Sequence, residues 1–509
     1  MAFMNAIKNE LNNEKKLTEN GAVGYKTTGK KLLDLNFSVA SLRGASEKTI
    51  IDKFMDAYWE DPVVAIKWLF YTRDCREGLG ERRLFRIIIK HLAKDKPEVA
   101  KAVLNFTSDY GRYDDMWCLL DTSLKQNVIS VVAEQLTEDR INMKSGKSIS
   151  LLGKWLPSEN ASSSETKKYA TIIRKGLDMT SRNYRKMLSQ IRKYINVVEC
   201  KMSAKQWNEI DYEAVPSRAN LIYNNAFLRN DEARRRAYLG ALEKGEAKIN
   251  AGTLFPHDIV HKYMSGGYWS QSLKAYDSAL EGLWKALPDT VKGNGNTIVV
   301  ADGSGSMTCN VGGNTSVTAL DVANALAIYF AERASGEFKD KYITFSNRPQ
   351  LVDFSRAKSL RDKIGIALRH SEVADTNIEA TFDLILQTAV NNHMAQEDIP
   401  QNVLIISDME FNAATGYYNR PSTTLFDTIA KKYAAHGYKL PRLVFWNVNS
   451  RTGTIPVKEN ELGVALVSGF SVNIVNMVMS NKLDPYECLL DALNVERYQA
   501  IEDAIKDIV

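Results

Sequence analysis

From Thr297 onward, short and wholly apolar runs alternate with longer stretches of helical spacing, and that alternation limits the fold more than any other feature of the chain. Thr297–Ala301 (TIVVA) and Val403–Ser407 (VLIIS) are rich in β-branched residues and have no polar face. Strands buried on both sides of a parallel sheet have this character. Between them lies Ser316–Ala334, with Ala319, Val322, Ala323, Leu326, Ala327 and Phe330 on one helical face, and then Ile378–Val390. Tyr342–Phe345 and Leu351–Phe354 flank Asn347-Arg348-Pro349 and read as a hairpin. Leu425–His436 reads as a helix and Leu443–Val448 and Val464–Val467 as strands, with Val472–Met479 opening the last helical region. Such an order predicts an α/β, doubly wound and mostly parallel sheet.

The first half reads differently. Ile51–Tyr58, Val63–Tyr71, Leu84–Leu92, Ile172–Tyr194 and Ala233–Leu242 carry apolar residues three to four apart, separated by short breaks and no strand pattern. Successive helices of this kind predict stacked pairs, an α-solenoid with degenerate repeats. Lys292–Asn296 (KGNGN) reads as a linker, so the expected domains are 1–290 and 291–509. No stretch approaches the roughly 20 apolar residues needed to span a bilayer, and the first residues have no apolar signal core. The five scattered cysteines, without a CxxC, argue against a disulfide framework and a zinc site. These features lead to the expectation of a cytoplasmic protein with no membrane partner.

Charge is divided unevenly. Met1–Gly295 carries 47 Lys+Arg against 36 Asp+Glu, and the remainder carries 19 against 25. A basic half suits a polyanion and an acidic half suits a cation. In the basic half, Arg82, Arg86 and Lys90 recur at four-residue spacing with Arg83 adjacent. Lys167, Lys168, Arg174, Lys175, Arg182, Arg185, Lys186, Arg192 and Lys193 form a stripe interleaved with Tyr169, Tyr184 and Tyr194, and Arg234-Arg235-Arg236 adds a third cluster. Lysine and arginine neutralise phosphates, and tyrosine stacks on unpaired bases, so these residues are the candidate RNA-binding surface. A solvated helix face with structural tyrosines is the competing reading.

Ligands of open α/β sheets collect at the carboxyl ends of the strands. There the chain places Asp302-Gly303-Ser304-Gly305-Ser306, then Ala374-Asp375-Thr376-Asn377 before a helix, then Asp408 directly after VLIIS. Asp302, Ser304, Ser306, Thr376 and Asp408 thus offer two carboxylates and three hydroxyls from three loops. Hard oxygens of this kind suit Mg2+, Mn2+ or Ca2+ rather than zinc or copper. With so few carboxylates the cation stays under-neutralised, and it keeps waters or recruits an acidic group from a protein partner. A phosphatase-type aspartate would want a second acid two residues on, where Ser304 stands. His257 and His261 lack a third ligand, so capping by Asp258 and ordinary packing are expected of them. No GxxxxGK[ST] loop, nucleophile elbow or HExxH is present, and no enzymatic activity is expected.

The DGSGS loop after a buried strand resembles the metal-ion-dependent adhesion site (MIDAS) of von Willebrand factor A domains, which are Rossmann-like. That resemblance implies direct ligation by Ser304, Ser306 and Thr376, with Asp302 and Asp408 contacting the metal directly or through water. The family often sets glycines before the threonine, and here Ala374-Asp375 stand instead. Trp68–Phe85 (WLFYTRDCREGLGERRLF), Tyr110–Asp115 (YGRYDD), Lys154–Ser158 (KWLPS) and Val215–Arg218 (VPSR) resemble the helical module of the Ro autoantigen (TROVE) family. They also resemble a related, uncharacterised group of two-domain proteins found in phages, bacteria and plants. The resemblance implies HEAT-like helices that bind structured small RNAs or single-stranded RNA ends, closed by a metal-binding A domain. The alternative is a metal-dependent protein–protein adhesion or assembly module, a phage or host-interaction factor, without RNA.

Overall fold

The computed structural model describes residues 15–265, 272–291, 296–312, 315–346, 348–372, 374–412, 425–456, 464–474 and 484–509. They form two compact units. One is built from Met1–Glu60 and Leu254–Asn494, the other from Asp61–Thr253 and Val495–Val509. The units are therefore not separated by a single cut near residue 290. Among the described residues, Lys15–Glu60 and those within Leu254–Val291 belong with the sheet, and Val495–Val509 belong with the helices.

The sheet unit opens with a small antiparallel hairpin, β1 (Lys15–Leu17) and β2 (Val23–Tyr25). Its main sheet comprises β3 (Thr297–Asp302), β4 (Lys341–Phe345), β5 (Gln350–Asp353), β6 (Asn402–Ser407), β7 (Arg442–Asn447) and β8 (Val464–Ser468), in the order β8-β7-β6-β3-β4-β5. Every pairing is parallel except β4 with β5, the hairpin expected around Asn347-Arg348-Pro349. The apolar runs are central strands, and Val299–Ala301 and Val403–Ile406 are fully buried as their composition requires. Helix Ala319–Arg333 is capped by Thr318, whose hydroxyl accepts from Asp321 N while Asp321 accepts from Thr318 N. It carries the chain from β3 to β4 on one side. Helix Ile378–Asn391 later leads to β6 on the other side of β3. The loops leaving β3 and β6 therefore part company at one edge, the crevice where such sheets hold ligands.

The β1–β2 hairpin is fastened to this edge. Tyr25 and Ile455 exchange backbone hydrogen bonds of 2.7 and 2.9 Å. A Cβ at Gly24 would stand 2.6 Å from Ile455 O, so only glycine permits the approach. Expectation and structure differ over the last helical region: Val472–Ile474 is a 3-10 turn, and 475–483 lies outside the described residues. The expected linker at 292–295 lies outside them as well.

In the helical unit the expected helices appear as Pro62–Arg73, Arg82–Asp95 and Glu232–Lys244. The predicted helix Ile172–Tyr194 is two helices, Ser164–Gly176 and Ser181–Tyr194. Asp178 between them has φ of 50°, and the Thr180 hydroxyl accepts from Asn183 N to start the second helix. Apolar periodicity runs through the break because both helices bury the same kind of stripe. Helix Gln499–Ile505 packs on Pro62–Arg73. There Lys67, a buried lysine, pairs with Glu502 at 2.7 Å.

Candidate functional site

At the edge where β3 and β6 diverge, Asp302 and Asp408 are both 1% exposed. Asp302 Oδ1 accepts from Ser304 N at 2.9 Å, so the tight DGS turn folds its own carboxylate inward. Its other oxygen accepts from the Ser407 hydroxyl across the strand pair at 2.6 Å. Ser304 is fully buried, and its Oγ lies 3.1 Å from Ser306 Oγ. Asp408 Oδ1 accepts from Glu410 N at 3.2 Å. Asp408 Oδ2 is buried and accepts no hydrogen bond; its neighbour is Arg451 Nη1 at 3.4 Å, in ion-pair range. Burial pushes both carboxyls up, Asp408 to about 7 with the Asp302 charge adding to the effect. The Ser306 hydroxyl and Arg451 pull Asp408 the other way.

The second loop joins this cluster through the backbone. Gly305 N donates to Ala374 O at 3.0 Å, and Ala374 N donates to Ser346 Oγ at 3.0 Å. Thr376 is buried, and Asn412 N donates to its carbonyl at 2.9 Å. Its hydroxyl accepts from Asn20 Nδ2 at 3.2 Å. Loops far apart in sequence thus meet at one edge. Among the described residues no three His, Cys, Asp or Glu side chains gather into a metal cage. The candidate centre relies on two carboxylates with hydroxyls, a hard-oxygen set suited to a cation that keeps waters. The Asp408 oxygen fits that use, because a buried charge that accepts no hydrogen bond and has only a loose ion pair remains costly.

Several residues at this edge were not singled out from sequence. Glu410 is fully buried and accepts from Glu19 N, Arg451 N, Thr452 N and the hydroxyls of Ser450 and Thr452. It ties the hairpin and the 450–452 loop to the site. Arg451 reaches Asp408, and its guanidinium also holds Glu19 and Ser306 O. The Asp408-x-Glu410 spacing was visible, but nothing in the sequence joins positions 19, 20 and 451 to it.

His257 is buried between Phe255 and Phe470, and Asp258 accepts from Phe255 N, as the packing reading expected. His261 lies between Asp321 and Ser316, each at 2.9 Å, where Asp321 is already committed to the helix cap.

In the helical unit the Ro-resembling motifs build a buried ion network. Asp115, fully buried, accepts from Arg73 Nε at 2.7 Å, Arg86 Nε at 2.7 Å and Arg112 N at 3.0 Å. Arg112 also holds Asp114, and its guanidinium lies 3.7 Å from the Trp155 ring centroid. Asp74 takes Arg497 and the Tyr498 hydroxyl, and Tyr498 stacks on Tyr110 with centroids 5.5 Å apart. A Cβ at Gly78 would meet Tyr71 O at 2.0 Å, and one at Gly111 would meet Asp115 Oδ2 at 2.6 Å. Arg73 and the glycines around Leu79 are thus a turn between packed helices.

The basic candidates divide. Arg235 does not belong on a surface: it is fully buried, bonded to Asn220 and Asn224, with the rings of Tyr212, Phe227 and Tyr238 around it. Arg192 spends its donors on Gly153 O, Leu156 O and Ser158 Oγ, and Arg174 on Glu159 and Met179 O. Arg86 serves Asp114 and Asp115. Arg234 bonds Trp207 O, Ile210 O and Asp231; Arg236 pairs with Glu232 and Lys168 with Asp121. Tyr184 is buried, with its hydroxyl on Pro157 O. Lys90 is half-buried. Lys168, Arg234 and Arg236 are exposed despite these partners, and so are Arg82, Arg83, Lys167, Lys175, Arg182, Arg185, Lys186 and Lys193, most of the latter on the helices Ser164–Gly176 and Ser181–Tyr194.

Residues 296–503 match the family model "Domain of unknown function (DUF7788)", and residues 18–109 and 160–297 match "Domain of unknown function (DUF2828)". A protein of Acanthamoeba polyphaga mimivirus, described as uncharacterized protein L728, is 29% identical over 516 residues, covering 94% of this chain and 86% of that one. Among solved structures, the crystal structure of the Deinococcus radiodurans Ro (RSR) protein covers 92% of this chain and 93% of that one, at TM-score 0.40 and 13% identity. That score does not equate the two folds. No helix among the described residues is long and apolar enough to cross a membrane.

Proposed function

We propose that the sheet unit is a von Willebrand factor A-like domain holding a divalent cation, magnesium in the simplest case. Asp302, Ser304, Ser306, Thr376 and Asp408 are its ligands, directly or through water. The observation that carries this reading is the buried Asp408 oxygen that accepts no hydrogen bond, beside a second buried carboxylate. A cation there offsets a cost that the metal-free edge otherwise bears. The helical unit is then the RNA-binding part of a Ro-like protein. Exposed Lys175, Arg182, Arg185, Lys186 and Lys193 support that role, as does the basic balance of the first half. Arg235, Arg192 and Arg174 are left out of the RNA surface because their donors are spent within the fold.

Thermal melting tests the metal centre: magnesium raises the melting temperature of the intact chain and leaves Asp302→Ala unmoved. A wild-type melt indifferent to magnesium overturns it. Purified protein that carries RNA released by high salt, and loses it when Arg182, Arg185 and Lys186 are neutralised, supports the RNA reading. The second reading, a metal-dependent protein-adhesion module, draws on the same under-neutralised centre. Clean protein that captures a polypeptide through an Asp or Glu only in magnesium favours it.

A further inference from the structure

We propose that Arg451 is the resident cation of the metal-free centre, latched by Glu19 of the N-terminal hairpin, and that a divalent metal enters by displacing it. The inference rests on the metal reading above and adds to it a built-in competitor.

Arg451 is placed to bridge. Nη1 lies 3.4 Å from Asp408 Oδ2, 3.2 Å from Ser306 O and 3.4 Å from Cys309 Sγ. Its opposite edge faces Glu19, with Nε 2.9 Å from Oε2. One guanidinium thus joins the candidate ligands to the hairpin. Its hold on Asp408 is loose, because Oδ2 accepts no hydrogen bond from it. The backbone, by contrast, is pinned: Arg451 N donates to Glu410 Oε1 at 2.9 Å and Glu19 N to Glu410 Oε2 at 2.8 Å. The side chain can therefore leave while the loop stays. Asn20 completes the latch, donating to Thr376 Oγ1 at 3.2 Å and to Glu410 O at 2.6 Å.

Charge makes the exchange competitive. A guanidinium and a divalent ion a few ångströms apart repel, so both cannot serve Asp408. A 2+ ion answers two buried carboxylates better than one arginine does. The arginine in turn keeps the metal-free edge from facing its two carboxylates alone, at the expense of metal affinity.

Calorimetric titration of the intact chain with magnesium tests this. Arg451→Met is expected to bind magnesium roughly tenfold more tightly than wild type, the usual scale of a coupling between two bound groups. Glu19→Gln is expected to shift affinity the same way by less. Cys309, exposed and beside the guanidinium, reports the exchange. Magnesium should move its alkylation rate in wild type to that of Arg451→Met, which magnesium leaves unchanged, with exposed Cys200 as internal control. Equal affinity in wild type and Arg451→Met overturns the latch and leaves the metal centre standing. Absence of binding in both, with no melting shift, overturns the metal centre and the latch with it. If Arg451→Met does not fold without metal, Glu19→Gln decides: tighter binding supports the latch, and unchanged binding sinks it.

Discussion

Both units bury aspartates, and they treat them in opposite ways. In the helical unit, Asp115 is met by Arg73, Arg86 and a backbone N–H, and Asp74 by Arg497 and a tyrosine hydroxyl. At the sheet edge, Asp302 is met by a serine hydroxyl and one N–H, and Asp408 keeps an oxygen that accepts nothing. A saturated buried carboxylate holds helices together through the donors that meet it. An unsaturated one leaves a lone pair open to a ligand. The difference separates a structural network from a candidate binding centre without reference to any motif.

The sharpest way to break the comparison is to unpair the saturated side. Arg73→Met leaves Asp115 short of a partner, and a loss of about 3–5 kcal/mol is expected, measured by urea unfolding and indifferent to magnesium. If magnesium rescued it, the two networks would not be distinct. Next in size is the gain at the sheet edge. At a hundredfold excess over Kd, magnesium should add about 2.7 kcal/mol to wild type and nothing to Asp302→Ala.

A smaller effect concerns pH in EDTA. Asp408 is pushed up to about 7 from the usual carboxylate range, so its ionised form opposes folding. The penalty is absent below the unfolded pKa, grows as pH rises toward 7 and is constant above. Metal-free wild type should therefore lose stability over that interval, and Asp408→Asn should lose less; parallel denaturation curves for the two would remove the pair from the account. The smallest change in stability belongs to the basic surface. Neutralising Arg182, Arg185 and Lys186 should leave unfolding within about 0.5 kcal/mol of wild type. RNA affinity should then fall less steeply with salt, by up to about 2–3 in the logarithmic slope.

Much of the sheet unit was legible. β3 and β6 announce themselves by composition, and the residues that follow them could be placed at one edge from topology alone. The covering of that edge was not legible, because Asn20 and Thr376 meet across 356 residues and Glu19 and Arg451 across 432. In the helical half, sequence revealed charge and not direction. Arg234-Arg235-Arg236 reads as one basic cluster, yet successive helical residues point about 100° apart. Arg235 turned inward to Asn220, Asn224 and a ring of aromatics. Arg86 reads as one of a basic face with Arg82 and Lys90, yet it is spent on Asp114 and Asp115 within the fold.

The interleaving of the units has a consequence for synthesis. The sheet unit takes Lys15–Glu60 from before the helical unit's Asp61–Thr253 and is not complete until Asn494 has been made, while the helical unit still lacks Val495–Val509. Asp74 and Lys67, made early, wait for Arg497 and Glu502. A nascent chain halted before Asn494 leaves both units short of residues they contain, and the helical unit stays short until Arg497 and Glu502 follow.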